Sequence, residues 1–246
     1  MKDLTINLNY FSAIDSSIKA YILGFIAADG AIVRNTNCST KTLTITIHAK
    51  DVSILEKIKS ELNSSLPIKV IQYKHKSLSS YKLDVDHRRF TTSKKEIISD
   101  LEKYGLTERK SLTMPDLLKY IPEEYKNSFI IGYFDGDGCF VDSYNVRTKK
   151  RTLLNGDVKY YNSSSYNSSI SIKGTEEFLK SIVNYLNLSS YSLKQNRGQN
   201  IHTLVIGSNE GILKFYKLYD TCEFYLSRKK DKFARKILQV QTISST

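Results

Sequence analysis

The chain has 246 residues, with 37 Lys and Arg against 25 Asp and Glu, and a net charge of +12. That length fits one large domain or two small ones, and 40% hydrophobic with 11% aromatic residues is enough to fill a core, which excludes a disordered chain. No apolar run reaches a membrane span, MKDLTINLNYF lacks a secretory signal's apolar stretch, and Cys38, Cys139 and Cys222 fit neither a disulfide framework nor a zinc site, so an intracellular, reducing compartment (cytoplasm or organelle matrix) is expected.

The first elements read clearly. Ser16–Ala28 is apolar behind a serine suited to an N-cap, so a helix is expected there. A hairpin follows, in which Thr42–Lys50 alternates: Leu43, Ile45 and Ile47 on one face, Thr42, Thr44, Thr46 and His48 on the other. Asp51 opens an amphipathic helix through Val52, Leu55, Ile58 and Leu62. Strands are expected near Ile68–Lys74 and Ser79–His87, the latter with Tyr81, Leu83 and Val85 toward the core. Ser93–Tyr104 is a helix ended by Gly105. Ser111–Glu123, with Pro115 and Pro122, reads as a connector containing a short helix.

The order then recurs. A helix is expected over Glu123–Gly136, strands near Cys139–Arg147 and Ser168–Lys173, and a helix over Thr175–Leu186. Strands near Tyr191–Arg197 and His202–Gly207, a helix over Asn209–Tyr219 and a basic helix from about Lys229 close the chain. Polar Thr148–Asn167 interrupts the second half as a long hairpin tip or loop. The chain thus reads as an α+β tandem duplication of α-β-β-α-β-β-α modules, residues 1–114 and 115–246, with a spacing near 108 residues that is too long for a solenoid repeat.

The best internal match carries the chemistry. Tyr21–Gly30 reads YILGFIAADG and Phe129–Gly138 reads FIIGYFDGDG. Gly24 and Ala28, like Gly132 and Gly136, lie four apart on one helix face. Small residues there let helix backbones approach closely, so these four are the expected interface between modules. Asp29 and Asp137 then end the two helices, where the macrodipole disfavours a carboxylate. Side by side, two unit charges ~5 Å apart repel by about 3 kcal/mol at an effective dielectric of 20. A divalent cation reverses that sign, because carboxylate oxygens are preferred Mg²⁺ ligands. An acidic focus within a +12 protein points to metal-assisted phosphodiester hydrolysis.

These paired motifs, with the module order, resemble the LAGLIDADG homing endonucleases in their single-chain, two-motif form. The resemblance implies packed motif helices and two antiparallel sheets forming a basic saddle over DNA. It implies that the last acid of each motif, Asp29 and Asp137, binds catalytic Mg²⁺, as two or more divalent cations, with Mn²⁺ or Ca²⁺ able to substitute for binding. The earlier motif acid is present as Asp135 but is Ala27 in the first half. The family's basic residue near the scissile phosphates falls in Glu108-Arg109-Lys110-Ser111 and Ser227-Arg228-Lys229-Lys230; Lys110 and Lys229 are the expected pair, with Lys230 the neighbouring alternative. The family's polar residue after the second strand has no secure counterpart in His48-Ala49-Lys50 or Ile172-Lys173-Gly174.

If apolar strand faces pack on helices, the opposite faces bind DNA. The expected DNA-binding residues are Thr44, Thr46, His48, Lys50, Lys82 and Asp84 in the first half. In the second they are Arg147, Lys149, Arg151, Ser171, Lys173, Lys194, Asn196 and Arg197. The expected protein is a monomer with no membrane partner that cuts both strands of a long, asymmetric DNA site across the minor groove and leaves 3′ overhangs. An intron RNA maturase or a non-cleaving DNA-binding regulator of the same fold is the alternative, with intron RNA as partner. An intein-embedded nuclease is disfavoured, since QTISST lacks the His-Asn ending of splicing.

Overall fold

The computed structural model describes residues 5–34, 39–74, 84–154, 156–196 and 200–238. In the first half, helix α1 (Ser17–Asp29) leads into β1 (Gly30–Arg34) and β2 (Lys41–His48). Helix α2 (Val52–Glu61), β3 (Lys69–Lys74), β4 (Asp84–Thr92), α3 (Lys95–Lys103) and the single turn α4 (Lys110–Thr113) follow. The second half repeats the order as α5 (Lys126–Asp137), β5 (Gly138–Thr152), β6 (Val158–Gly174), α6 (Glu176–Tyr185), β7 (Ser192–Gln195), β8 (His202–Ile206), α7 (Asn209–Tyr216) and the turn α8 (Ser227–Lys230). Each half folds one antiparallel sheet, in the orders β1-β2-β4-β3 and β5-β6-β8-β7. The α+β duplication read from the sequence is therefore the architecture.

Helix α1 starts where Ser16, in extended conformation, accepts a hydrogen bond from the Lys19 amide. Both motif helices are buried along most of their length, because they lie in the molecule's centre rather than on its surface. They pack directly on each other, and glycine is what permits it. A Cβ on Gly24 would stand 2.1 Å from the Phe129 carbonyl oxygen, and one on Gly132 would stand 2.0 Å from that of Tyr21. Since Tyr21 and Gly24 correspond to Phe129 and Gly132 in the two motifs, the contact is reciprocal, as a twofold relation requires. Ala28 faces Gly136, whose added Cβ would lie 2.3 Å from the alanine methyl.

Leu43, Ile45 and Ile47 of β2 and Ile170 and Ile172 of β6 are buried against helices, leaving the opposite sheet faces open. One strand differs from expectation. β4 runs to Thr92, and its buried residue is Phe90, paired with Ile45. Alternation counted from Phe90 puts His87, Arg89 and Thr91 on the open face with His48, Thr46 and Thr44. The side chain of Asp84, expected on that open face, lies outside the described residues. Thr148–Asn167 forms the far end of a long hairpin, one of the two forms expected for it. β5 and β6 stay paired from Gly138↔Ile172 to Thr152↔Val158, whereas β8 meets β6 only over Ile170–Gly174. A two-stranded ribbon thus projects roughly 35 Å past the four-stranded sheet. The expected basic helix from about Lys229 is present: the chain is helical from Ser227 to Leu238, with a 3-10 turn at Asp231–Phe233 within it.

Candidate functional site

Asp29 and Asp137 are the last residues of the two packed helices. A Cβ added at Gly136 would lie 3.4 Å from Asp29 Cγ, so Asp29 borders the end of the other helix, one residue from Asp137. Burial and, next, the charge of Asp137 push the Asp29 carboxyl up to about 6. This is the signature of two acids held close, with Asp29 short of solvent.

Both expected basic residues are buried beneath these ends. Lys110 Nζ donates to the carbonyl oxygens of Ala27 (2.5 Å) and Ala28 (2.7 Å). Lys229 Nζ donates to those of Phe134 (2.7 Å) and Gly138 (2.8 Å), with a longer bond to Gly136 at 3.4 Å. Lys110 thereby satisfies two carbonyls that α1 leaves without helical partners, Lys229 adds a second donor to the Phe134 carbonyl that already accepts from the Gly138 amide, and both ammoniums oppose the dipole at the helix ends. Burial pulls Lys110 down to about 8 and also lowers Lys229, each against the attraction of nearby aspartates.

Asp135, 3% exposed, ties three elements together. Its Oδ2 accepts from the Tyr21 hydroxyl (2.8 Å) and the Leu226 amide (2.7 Å), while Oδ1 is buried without a partner. Burial, offset by the Leu226 and Tyr21 hydrogen bonds, leaves its carboxyl raised to about 6. Sequence reasoning missed a second link between the halves. Arg228 of α8 grips Asp51, just before α2, through both Nε (2.5 Å) and Nη2. Its one sequence signal is its place beside Lys229.

Two cavities flank the helix ends. One, of about 210 Å³, is lined by residues that include Asp29, Asp51, Asp135, Arg228, His48, His87 and Thr46. The other, of about 170 Å³, is lined by Asp137, Lys110, Lys173, Tyr133 and Ala27. Among the described residues, no cluster of three or more His, Cys, Asp or Glu could hold a metal ion. Two adjoining carboxylates nevertheless fit a hard divalent cation, since Mg²⁺ commonly takes one or two protein carboxylates and completes its shell with waters and substrate phosphate.

The open faces carry most of the remaining expected residues. Thr44, Thr46 and His48 line one sheet with Thr91, Arg89 and His87, and Arg89 Nε donates to Thr46 Oγ1 at 3.0 Å. Lys50 lies off the strand, in the 3-10 turn Ala49–Asp51. On the other sheet, Arg147, Lys149 and Arg151 share a face with Ser171 and Lys173 by register. Lys194 joins them opposite Thr203, and Asn196 accepts from the Thr203 hydroxyl at 3.3 Å. Lys82 and Arg197 lie outside the described residues.

A duplicated α+β unit with two central helices, two open sheet faces and paired helix-end acids defines a known class. The family model described as LAGLIDADG endonuclease matches twice, over residues 22–121 and 130–237. The chain belongs to the LAGLIDADG endonuclease family. No curated protein matches it by sequence. Its fold is similar to that of the LAGLIDADG homing endonuclease I-LtrWI bound to target DNA (TM-score 0.59, 15% identity, covering 98% of this chain and 92% of that one). It is similar also to the meganuclease I-AabMI bound to uncleaved DNA (0.58, 16%, 92% and 91%). A third is the homing endonuclease I-WcaI bound to its DNA recognition sequence (0.57, 20%, 91% and 90%). No helix among the described residues is long and apolar enough to cross a membrane.

Proposed function

We propose that this protein is a divalent-cation-dependent, sequence-specific endonuclease that hydrolyses both strands of double-stranded DNA at a long asymmetric site and leaves 3′ overhangs. The observation that carries the reading is the pair Asp29 and Asp137 at the ends of helices in reciprocal contact, with the Asp29 carboxyl raised by burial and by its neighbour's charge. Left alone, this pair costs stability, so the presence of an acid at both helix ends supports a function for the charge.

In this reading Asp29 and Asp137 hold Mg²⁺, which when bound neutralises the pair and polarises the phosphate under attack. The chain's own groups do the rest. Lys110 and Lys229 fix the backbone of the two helix ends and place positive charge beneath the scissile phosphates. The open sheet faces read the major groove, where Thr, Asn, Lys and Arg suit base edges and phosphates. Water's oxygen bonds to phosphorus as the P–O3′ bond breaks; the departing oxygen takes up a proton and the water's proton passes to solvent. The two faces differ at nearly every position, which supports an asymmetric target.

Incubation with a randomised duplex library and Mg²⁺ tests the reading. Wild type is expected to yield double-strand cuts with short 3′ overhangs, and Asp137→Asn to bind the same sequences without cutting them. Equal products from both proteins overturn the assignment.

A further inference from the structure

The twofold relation between the halves makes the two cavities comparable residue by residue, and their charges are not alike. Gly30 pairs with Ile45 and Gly138 with Ile172, so Thr46 of the first cavity corresponds to Lys173 of the second. By the motif alignment Phe25 corresponds to Tyr133, and Asp135, which lines the first cavity, corresponds to Ala27, which lines the second. At these matched positions the second cavity gains an ammonium and loses a carboxylate. Asp29, Asp51 and Asp135 face a single arginine in the first, and that Arg228 is already bound by Asp51. Arg89, which donates to Thr46, does not line that cavity. In the second, Asp137 faces Lys110 and Lys173. Lys110 is committed to helix carbonyls, whereas Lys173 is exposed on the open sheet face.

We propose that Lys173 is a further catalytic residue, serving only the strand that enters the Asp137 cavity, so that the two strands are cut in order with that one first. The inference rests on the endonuclease reading and names a division of labour within it. Hydrolysis adds water across the P–O3′ bond, and negative charge builds on the non-bridging oxygens before the 3′ oxygen leaves and takes a proton. A cation aimed at that charge accelerates the step, and loss of one such donor typically costs a factor of about 10²–10³. The Asp29 cavity has threonine at this place and so lacks the acceleration.

Single-turnover cleavage of a library-selected duplex carrying a different fluorophore on each strand reads the order directly. Wild type is expected to accumulate a nicked intermediate in one strand. Lys173→Gln should slow that strand at least tenfold and change the other less than threefold. The reciprocal Thr46→Lys should accelerate the opposite strand. Equal slowing of both strands by Lys173→Gln, or an affinity loss with unchanged rates, overturns the proposal and makes Lys173 a phosphate anchor. A wild-type protein that cuts neither strand instead removes the endonuclease reading. Position 173 is on an exposed sheet face, so the substitution does not disturb the core.

Discussion

Replacing Asp29 by Asn should stabilise the metal-free protein while abolishing cleavage. The Asp29 carboxyl is raised from 3.8 to about 6 by burial first and the Asp137 charge second. At about 1.4 kcal/mol per unit, its ionised form costs about 3 kcal/mol of folding stability at pH 7.5. The sign follows from linkage. A carboxyl with a raised folded pKa binds more protons in the native state between pH 3.8 and 6, so its cost is complete above about 6 and fades as pH falls toward 3.8. Asparagine keeps the shape and has no charge to desolvate. Since 1 kcal/mol moves Tm by roughly 2–4 °C at this size, the gain at pH 7.5 in EDTA should be several degrees, up to about 10 °C. At pH 5 the gain should fall to about half. Thermal melting of both proteins at the two pH values is the assay. A variant no more stable than wild type at pH 7.5, or equally stabilised at both, would refute the reasoning.

The helix contact makes a steric prediction: Gly24→Ala and Gly132→Ala each force a methyl against a backbone carbonyl and should cost about 2 kcal/mol or more, read by urea unfolding, and a neutral effect would contradict the reciprocal packing. Lys110→Met strips two carbonyls at the end of α1 of their donor and should lower stability by about 2 kcal/mol along with the cleavage rate; unchanged stability would deny the capping role. Combined Arg147→Ala, Lys149→Ala and Arg151→Ala on the ribbon should flatten the salt dependence of DNA affinity by about 0.9 for each phosphate the variant no longer neutralises, and an unchanged slope would mean the ribbon does not reach the backbone. Asp51→Asn breaks the grip on Arg228 and should slow cleavage more than binding, whereas equal losses in both would make the pair a general strut.

The duplication was legible because its signals are local. Glycines four apart, an acid before a glycine and strict alternation in β2 each express a steric or periodic rule. The phase of β4 was not legible. Its buried residue, Phe90, lies beyond the expected end at His87, and only its pairing with Ile45 identifies it. For Thr148–Asn167 the sequence left a hairpin tip and a loop both open, since its described residues bury nothing and show no apolar period, yet its strands pair regularly. Within the site, both lysines could be singled out by their place in the two halves. That their ammoniums lie on helix carbonyls depends on tertiary placement, as does the reach of Arg228 across to Asp51, 177 residues away.

Mn²⁺ uptake by the protein–DNA complex, followed by electron paramagnetic resonance, tests the shared cation most directly. Wild type should take up Mn²⁺ that a variant carrying both Asp29→Asn and Asp137→Asn fails to bind, with DNA still held by both. Identical uptake by the two complexes would contradict the claim that these helix-end acids hold the metal.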